Sequence, residues 1–202
     1  MIGSWIAGVL SAILFIFFQA KGIYTGDSGD LVTAAVVGGV PHPPGYPLYT
    51  ALGWLVSHIP LFTPSWRVTL LSSLPHAGAV CLVYALIYRV TRKNVFASIF
   101  GASVLAANYL FFLYSVTPEV FALFDLFIVL LWYGLFVWQE SQNVRYLYGA
   151  SFVFGLSLSH HHVMLFFVPA IVYFLWANRT LMSRQKFRYH EWLRCIAWFA
   201  LG

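Results

Sequence analysis

The chain has 202 residues and only six Asp or Glu, so each acid is a place where chemistry could be done. Asp27 and Asp30 stand three apart in the turn-like run Gly26-Asp27-Ser28-Gly29-Asp30. A carboxylate there can act as a general base, taking the proton of an attacking hydroxyl that lies within hydrogen-bond reach. Both acids could equally cap the helix that follows, whose dipole favours negative charge. Glu119 follows Thr117-Pro118 in the first turn of an expected span, where helix capping also accounts for it. Asp125 lies about 9 Å deeper and about 120° further round that helix. An interhelical hydrogen bond is its expected role.

The candidate cations are His160, His161, His162 and Arg67. Consecutive helical residues diverge by about 100°, so three neighbouring imidazoles cannot all face one ion. No metal ligand is therefore assigned; a divalent metal is compatible with the acids without being demanded by them. At the start of a short helix, Val163–Trp176, the imidazoles and free N–H groups could hold a phosphate. Alternatively they satisfy backbone groups freed where a helix breaks. Arg67, at the outer end of a span, is a second candidate phosphate partner, with snorkelling to the interface as its ordinary role. A phosphate leaving group needs cations and an acceptor hydroxyl needs a carboxylate. Both are present.

The composition states what must position these groups. Of the residues, 61% are apolar and 8% charged, against roughly 45–50% and about 25% for soluble domains. With 19% aromatics and a mean hydropathy of +0.80, a soluble domain and a disordered chain are both excluded. The expected fold class is all-α: a polytopic helical membrane protein. In that setting the net charge of +5 marks topology and not nucleic acid. Cys81 and Cys195 both sit in apolar runs and announce no disulfide framework.

Spans are expected at about residues 4–20, 66–88, 95–114 and 120–138, each near the ~20 residues that cross a bilayer. The first lacks a basic leader and a cleavage site and reads as retained. As one helix Tyr146–Trp176 would be about 46 Å long. A break at Ser159–His162 makes it a hairpin of two short helices. That choice puts Arg89, Arg92, Lys93, Arg145, Arg179, Arg184, Lys186, Arg188 and Arg194 on one side and leaves Lys21 and Arg67 opposite, as the positive-inside rule favours. The N-terminus is then cytoplasmic, and loop 21–65 and the histidine turn are reached from outside.

Within that loop, Leu31–Val37 and Leu48–Ser57 are expected short helices, joined by a stiff segment with prolines at 41, 43, 44 and 47. Thr63-Pro64 and Thr117-Pro118 read as N-cap and first residue of the second and fourth spans. A further span begins at 192–202, so residues 1–202 are read as the N-terminal part of a longer membrane module.

The run GDSGDLVTAAVVGGVPHPPGYPLYTALG (residues 26–53) closely resembles the signature of the protein O-mannosyltransferase-like, transmembrane protein 260-like membrane family. The family pattern is approximately GDSGE followed by a G-V-x-H-P-P-G-Y-P-L stretch. TPEVFALFDLF (117–127), GLSLSHHHVML (155–165) and Trp66-Arg67-Val68 with Leu70-Leu71 agree in order with it over about residues 24–176. The resemblance implies a GT-C-class glycosyltransferase with a polyprenyl-phosphate sugar donor, a hydroxyl acceptor on a translocated protein, and an active site on the extracytoplasmic or luminal face of a bacterial inner membrane or endoplasmic reticulum.

Carried over by position, Asp27 is the base or the acceptor-orienting acid, with Asp30 beside it where the family has Glu. His42, Arg67, Glu119 and His162 form the substrate-binding set. Asp125 stands where Asn is frequent, which supports a hydrogen-bonding role, whereas His160 and His161 depart from the family's small or amide residues. The expected function is transfer of a hexose, mannose, from polyprenyl phosphate to protein without a soluble cofactor. The alternative is a transporter or flippase of lipid-linked sugar, which also uses broken helices at membrane depth. A carrier does not require the acidic loop and its proline segment.

Overall fold

The computed structural model describes residues 2–184, without the side chain of Arg184, and residues 189–202. Lys186 and Arg188, used above in the charge asymmetry, lie outside the described residues. All regular structure among the described residues is helical. The chain divides into two compact units, one up to Val129 and one from Leu130 to Gly202, with the boundary inside a helix.

In the first unit, α1 (Ile2–Phe18) lies along α4 (Pro64–Val90). Gly8 permits that approach: a Cβ there would sit 2.9 Å from the Cys81 Cβ, the small-residue contact by which helices pack where water does not drive them together. Thr63 caps α4 by accepting the Trp66 N–H at 3.2 Å, and Pro64 opens the helix. The 27 residues of α4 span about 40 Å. Its interior Pro75 removes the donor that the Leu71 carbonyl would receive, a defect that membrane helices tolerate when neighbours supply partners. The core beside it gathers Phe15, Val80, Tyr84 and Phe111.

Two expectations change here. The third span, expected to be continuous over 95–114, is α5 (Val95–Ala107) followed by α6 (Tyr109–Val116), bent by 64°. The bend falls at Asn108, whose Oδ1 accepts the N–H groups of Leu110 and Phe111 and starts a new helix. Thr117-Pro118 does not open the fourth span. Thr117 ends α6, its hydroxyl returning to the Leu113 carbonyl at 2.8 Å, and α7 begins only at Phe121.

Between α1 and α4 lie α2 (Ser28–Val37), which starts earlier than expected, and α3 (Pro47–Ser57). Leu31, Val32 and Ala35 of α2 pack with Tyr46, Tyr49, Val68 and Val120 in a second buried cluster. That cluster fixes the acidic turn and the proline loop against α4 and the start of α7.

The second unit comprises the rest of α7 (Phe121–Ser141), α8 (Arg145–His160), a 3₁₀ turn (His162–Phe167), α9 (Val168–Ala177), α10 (Arg179–Arg184) and α11 (Tyr189–Leu201). Trp138 is buried beside Phe174, and the side chains of Gln139 and Asn178 bond at 2.9 Å. Tyr148 on α8 donates to Glu191 on α11. By length and apolarity α4 and α7 are each able to cross a membrane, and α5 with α6 makes a third span if the bent pair is one.

Candidate active site

Asp27 occupies the N-cap position of α2, yet its side chain makes no capping bond; only its carbonyl accepts, from the Leu31 N–H at 2.9 Å. The capping reading therefore does not describe this carboxylate. It points instead to the proline loop, where Asp27 Oδ2 lies 3.5 Å from His42 Nε2. Asp30, one turn of backbone on, bonds the same histidine twice. Its Oδ2 accepts the His42 backbone N–H at 2.8 Å and faces His42 Nδ1 at 2.8 Å. Those two donors hold the Asp30 carboxyl below the usual carboxylate range.

The chemical consequence is a fixed ring orientation: with Nδ1 held against Asp30, the His42 ring turns Nε2 toward Asp27 and the Tyr46 hydroxyl, each 3.5 Å away. Tyr46 crosses the His42 ring edge-on, with 5.5 Å between centroids. It does so from a left-handed backbone conformation (φ 43°), costly for an aromatic residue, which the preceding Gly45 (φ 94°) and the buried cluster around Tyr46 hold in place. The site remains open to solvent: side-chain exposure is 60% for Asp27, 49% for Asp30 and 36% for His42.

Glu119 completes the group from the other side. It lies two residues before α7 and is only 8% exposed. A Cβ added at Gly26, which has φ 76°, would be 3.8 Å from Glu119 Oε1, so the carboxylate rests against the acidic turn. Burial first, and then the charge of Asp27, raise the Glu119 carboxyl to about 7, while a bond from the Val120 backbone opposes the shift. Asp27, Asp30, His42 and Glu119, far apart in sequence, are thus brought together.

Arg67 is engaged elsewhere. Its guanidinium donates to the Thr63 carbonyl at 3.3 Å and to the Ile59 carbonyl, bracing the α3–α4 connection. In the second unit the helix break falls at His161, whose backbone is extended. Its Nδ1 accepts the Val163 N–H at 3.3 Å, so one of the N–H groups expected to be open to a phosphate is occupied. His160 is buried and His162 is exposed. Among the described residues no three His, Cys, Asp or Glu are grouped as ligands for a metal ion.

Two features escaped the sequence reading. Tyr46 was visible only as part of a proline-rich motif. His76 is buried in α4, its Nε2 3.2 Å from Asp125 Oδ2, so Asp125 does make an interhelical bond. The signal for His76 was an ionisable residue beside a proline in the middle of an apolar run.

The family described as Protein O-mannosyl-transferase TMEM260 N-terminal domain matches residues 27–183. The chain belongs to that family. Within the TMEM260 N-terminal-domain family, the matched range begins at Asp27 and contains every residue of the cluster. Mouse Protein O-mannosyl-transferase TMEM260 is 29% identical over 214 aligned positions, covering 99% of this chain and 30% of the mouse protein. The Dictyostelium discoideum protein of the same description is 29% identical over 180, covering 81% of this chain and 22% of that protein. The chain thus spans less than a third of the length of these curated relatives. No solved structure matches it significantly.

Proposed function

We propose that this chain carries the reaction site of a membrane glycosyltransferase that moves a hexose, mannose, from a polyprenyl-phosphate donor to a hydroxyl on a translocated protein. The observation that carries the reading is the cluster of Asp27, Asp30, His42 and Glu119. It sets Asp27, Asp30 and His42 on a solvent-open loop, with Glu119 buried against it, beside membrane-length helices, where a lipid-borne donor and a protein acceptor can both arrive. The relatives' description as protein O-mannosyl-transferases supports the same reading.

Asp27 accepts the hydrogen bond of the acceptor hydroxyl and draws its proton as the oxygen attacks the sugar's anomeric carbon. The bond from that carbon to the phosphate oxygen breaks, its electron pair leaves with the phosphate, and the configuration inverts. Asp30 holds the His42 ring so that Nε2 lies beside Asp27 and shares the proton being moved. Glu119, protonated below about 7, donates a hydrogen bond to the donor without adding a second negative charge near an anionic phosphate. The Arg67 guanidinium, fixed by Ile59 and Thr63, supplies positive charge at that end of the loop. His162 is proposed as a further donor contact, so His162→Gln is expected to raise the donor KM.

The proposed topology places the N-terminus in the cytoplasm and the acidic loop outside or in the lumen. Membranes carrying the protein, supplied with labelled polyprenyl-phosphate mannose, test the function. Label is expected on protein with the wild type, and about 10²–10⁴-fold more slowly with Asp27→Asn. Movement of sugar-lipid across the membrane without protein labelling, unchanged by Asp27→Asn, would instead indicate a flippase.

A further inference from the structure

A buried polar seam lies where α4 meets the α6–α7 connection, and it joins the acid–imidazole cluster at the Glu119 backbone. Ser72, Ser73 and His76 are all fully buried, and their spacing puts them on one face of α4. The Ser72 hydroxyl accepts the Glu119 N–H at 3.1 Å and reaches the Glu119 carbonyl at 3.2 Å. Ser73 reaches the Ser115 carbonyl at 2.9 Å and Gln19 Oε1 at 2.8 Å. His76 lies flat on Phe111, with 3.8 Å between ring centroids. One of its nitrogens is 2.7 Å from Ser115 Oγ and the other 3.2 Å from Asp125 Oδ2. Helix α4 therefore grips residues 115–125 before, at and after Glu119.

Packing two helices does not require this arrangement. A histidine and serines buried against a membrane-length helix, the histidine paired with the partly exposed Asp125, cost free energy that apolar side chains would avoid, and such groups mark functional elements. They do one thing that apolar side chains cannot: they fix the backbone of a short irregular segment whose own N–H and C=O groups have no helix to bond to. That segment ends in the carboxylate resting against Gly26 and Asp27.

We propose that Ser72 and His76 are positioning residues for the transfer reaction, clamping the α6–α7 connection so that the Glu119 carboxylate is held against the acidic turn. The inference rests on reading that cluster as a transferase site. Without the Ser72 hydroxyl the Glu119 N–H loses its partner and the connection relaxes, and a displacement of about 1 Å at a reacting centre costs on the order of 10²-fold in rate. The ionisation of Glu119 reports the same displacement, because it depends on burial and on the groups that face it: Asp27 at the start of α2, His42 in the proline loop, and Tyr46 and Tyr49 at the start of α3.

The test is transfer from polyprenyl-phosphate mannose in membranes carrying the whole protein, normalised to folded protein by size exclusion, for wild type, Ser72→Ala, His76→Phe, Asp125→Asn and Asp27→Asn. His76→Phe keeps the ring on Phe111 and loses both polar bonds; Asp125→Asn keeps a partner for His76. The expected result for Ser72→Ala and His76→Phe is a kcat lower by about 10–100-fold, with the inflection near pH 7 displaced. Asp125→Asn is expected to stay close to wild type. Variants that lower only the yield of folded protein, with kcat and pH profile per folded molecule unchanged, overturn the proposal. If they do so while Asp27→Asn abolishes transfer, the transferase reading stands and the clamp alone fails. Intact transfer in Asp27→Asn overturns both.

Discussion

Glu119 is the residue whose behaviour follows most directly from its surroundings. Its carboxyl is raised from an ordinary 4.5 to about 7, so the folded protein holds this proton more tightly than the unfolded chain does. The associated stability is complete below about 4.5, declines as pH rises, and is gone above about 7. The full shift corresponds to about 3 kcal/mol. Unfolding in detergent at pH 5 and pH 8 should therefore show wild type losing stability with rising pH at this group and Glu119→Gln losing less. In transfer, the protonated form is the proposed donor of a hydrogen bond, so rate should fall as pH rises through about 7 and that limb should vanish in Glu119→Gln. Asp27 and Asp30 were legible from residue type and spacing, and His42 from its motif. Their convergence was not, because no local pattern states that a histidine 12 residues after Asp30 returns to bond it. His76 and Ser72 were hidden for a related reason: in an apolar run, a polar residue turned toward a neighbouring helix reads the same as one turned toward lipid.

Among the elements, caps decided which boundaries could be read. Thr63-Pro64 was legible because the threonine accepts from its own helix, at Trp66. The same dipeptide at 117–118 was misleading. Thr117 spends its hydroxyl on the preceding helix, and the proline that follows keeps it out of the helical conformation while ending α6. Asn108 was overlooked as one of a few polar residues scattered through 20 apolar-rich positions, although its side chain starts α6. Replacing it with Ala should cost about 1 kcal/mol and lower the midpoint of thermal unfolding. An unchanged midpoint would mean that the 64° bend is set by packing and not by the cap. The histidine turn was legible as a break in an over-long apolar stretch, but its chemistry was not, since the His161 ring is turned back onto the Val163 N–H.

At the scale of the whole molecule, the all-helical class is legible because a chain in lipid must satisfy its backbone within helices or a closed barrel, and continuous apolar runs of about 20 residues fit helices. The count and continuity of spans are less legible, since α1 has only 17 residues and α5–α6 is bent. The proposed topology predicts that a cysteine placed at Phe62 is labelled by a membrane-impermeant reagent from outside or from the lumen. One placed at Lys93 should be labelled only after the membrane is opened. The reverse pattern would put the acidic loop on the cytoplasmic side. The central claim is that side chains from the acidic turn and the proline loop act as one catalytic unit. A double-mutant cycle on the rate of mannose transfer, using Asp27→Asn and His42→Gln, tests it most directly. The account predicts that the double variant is hardly slower than the worse single one, as for residues that work together. Independent, multiplying losses, or a His42→Gln rate equal to wild type, would contradict it.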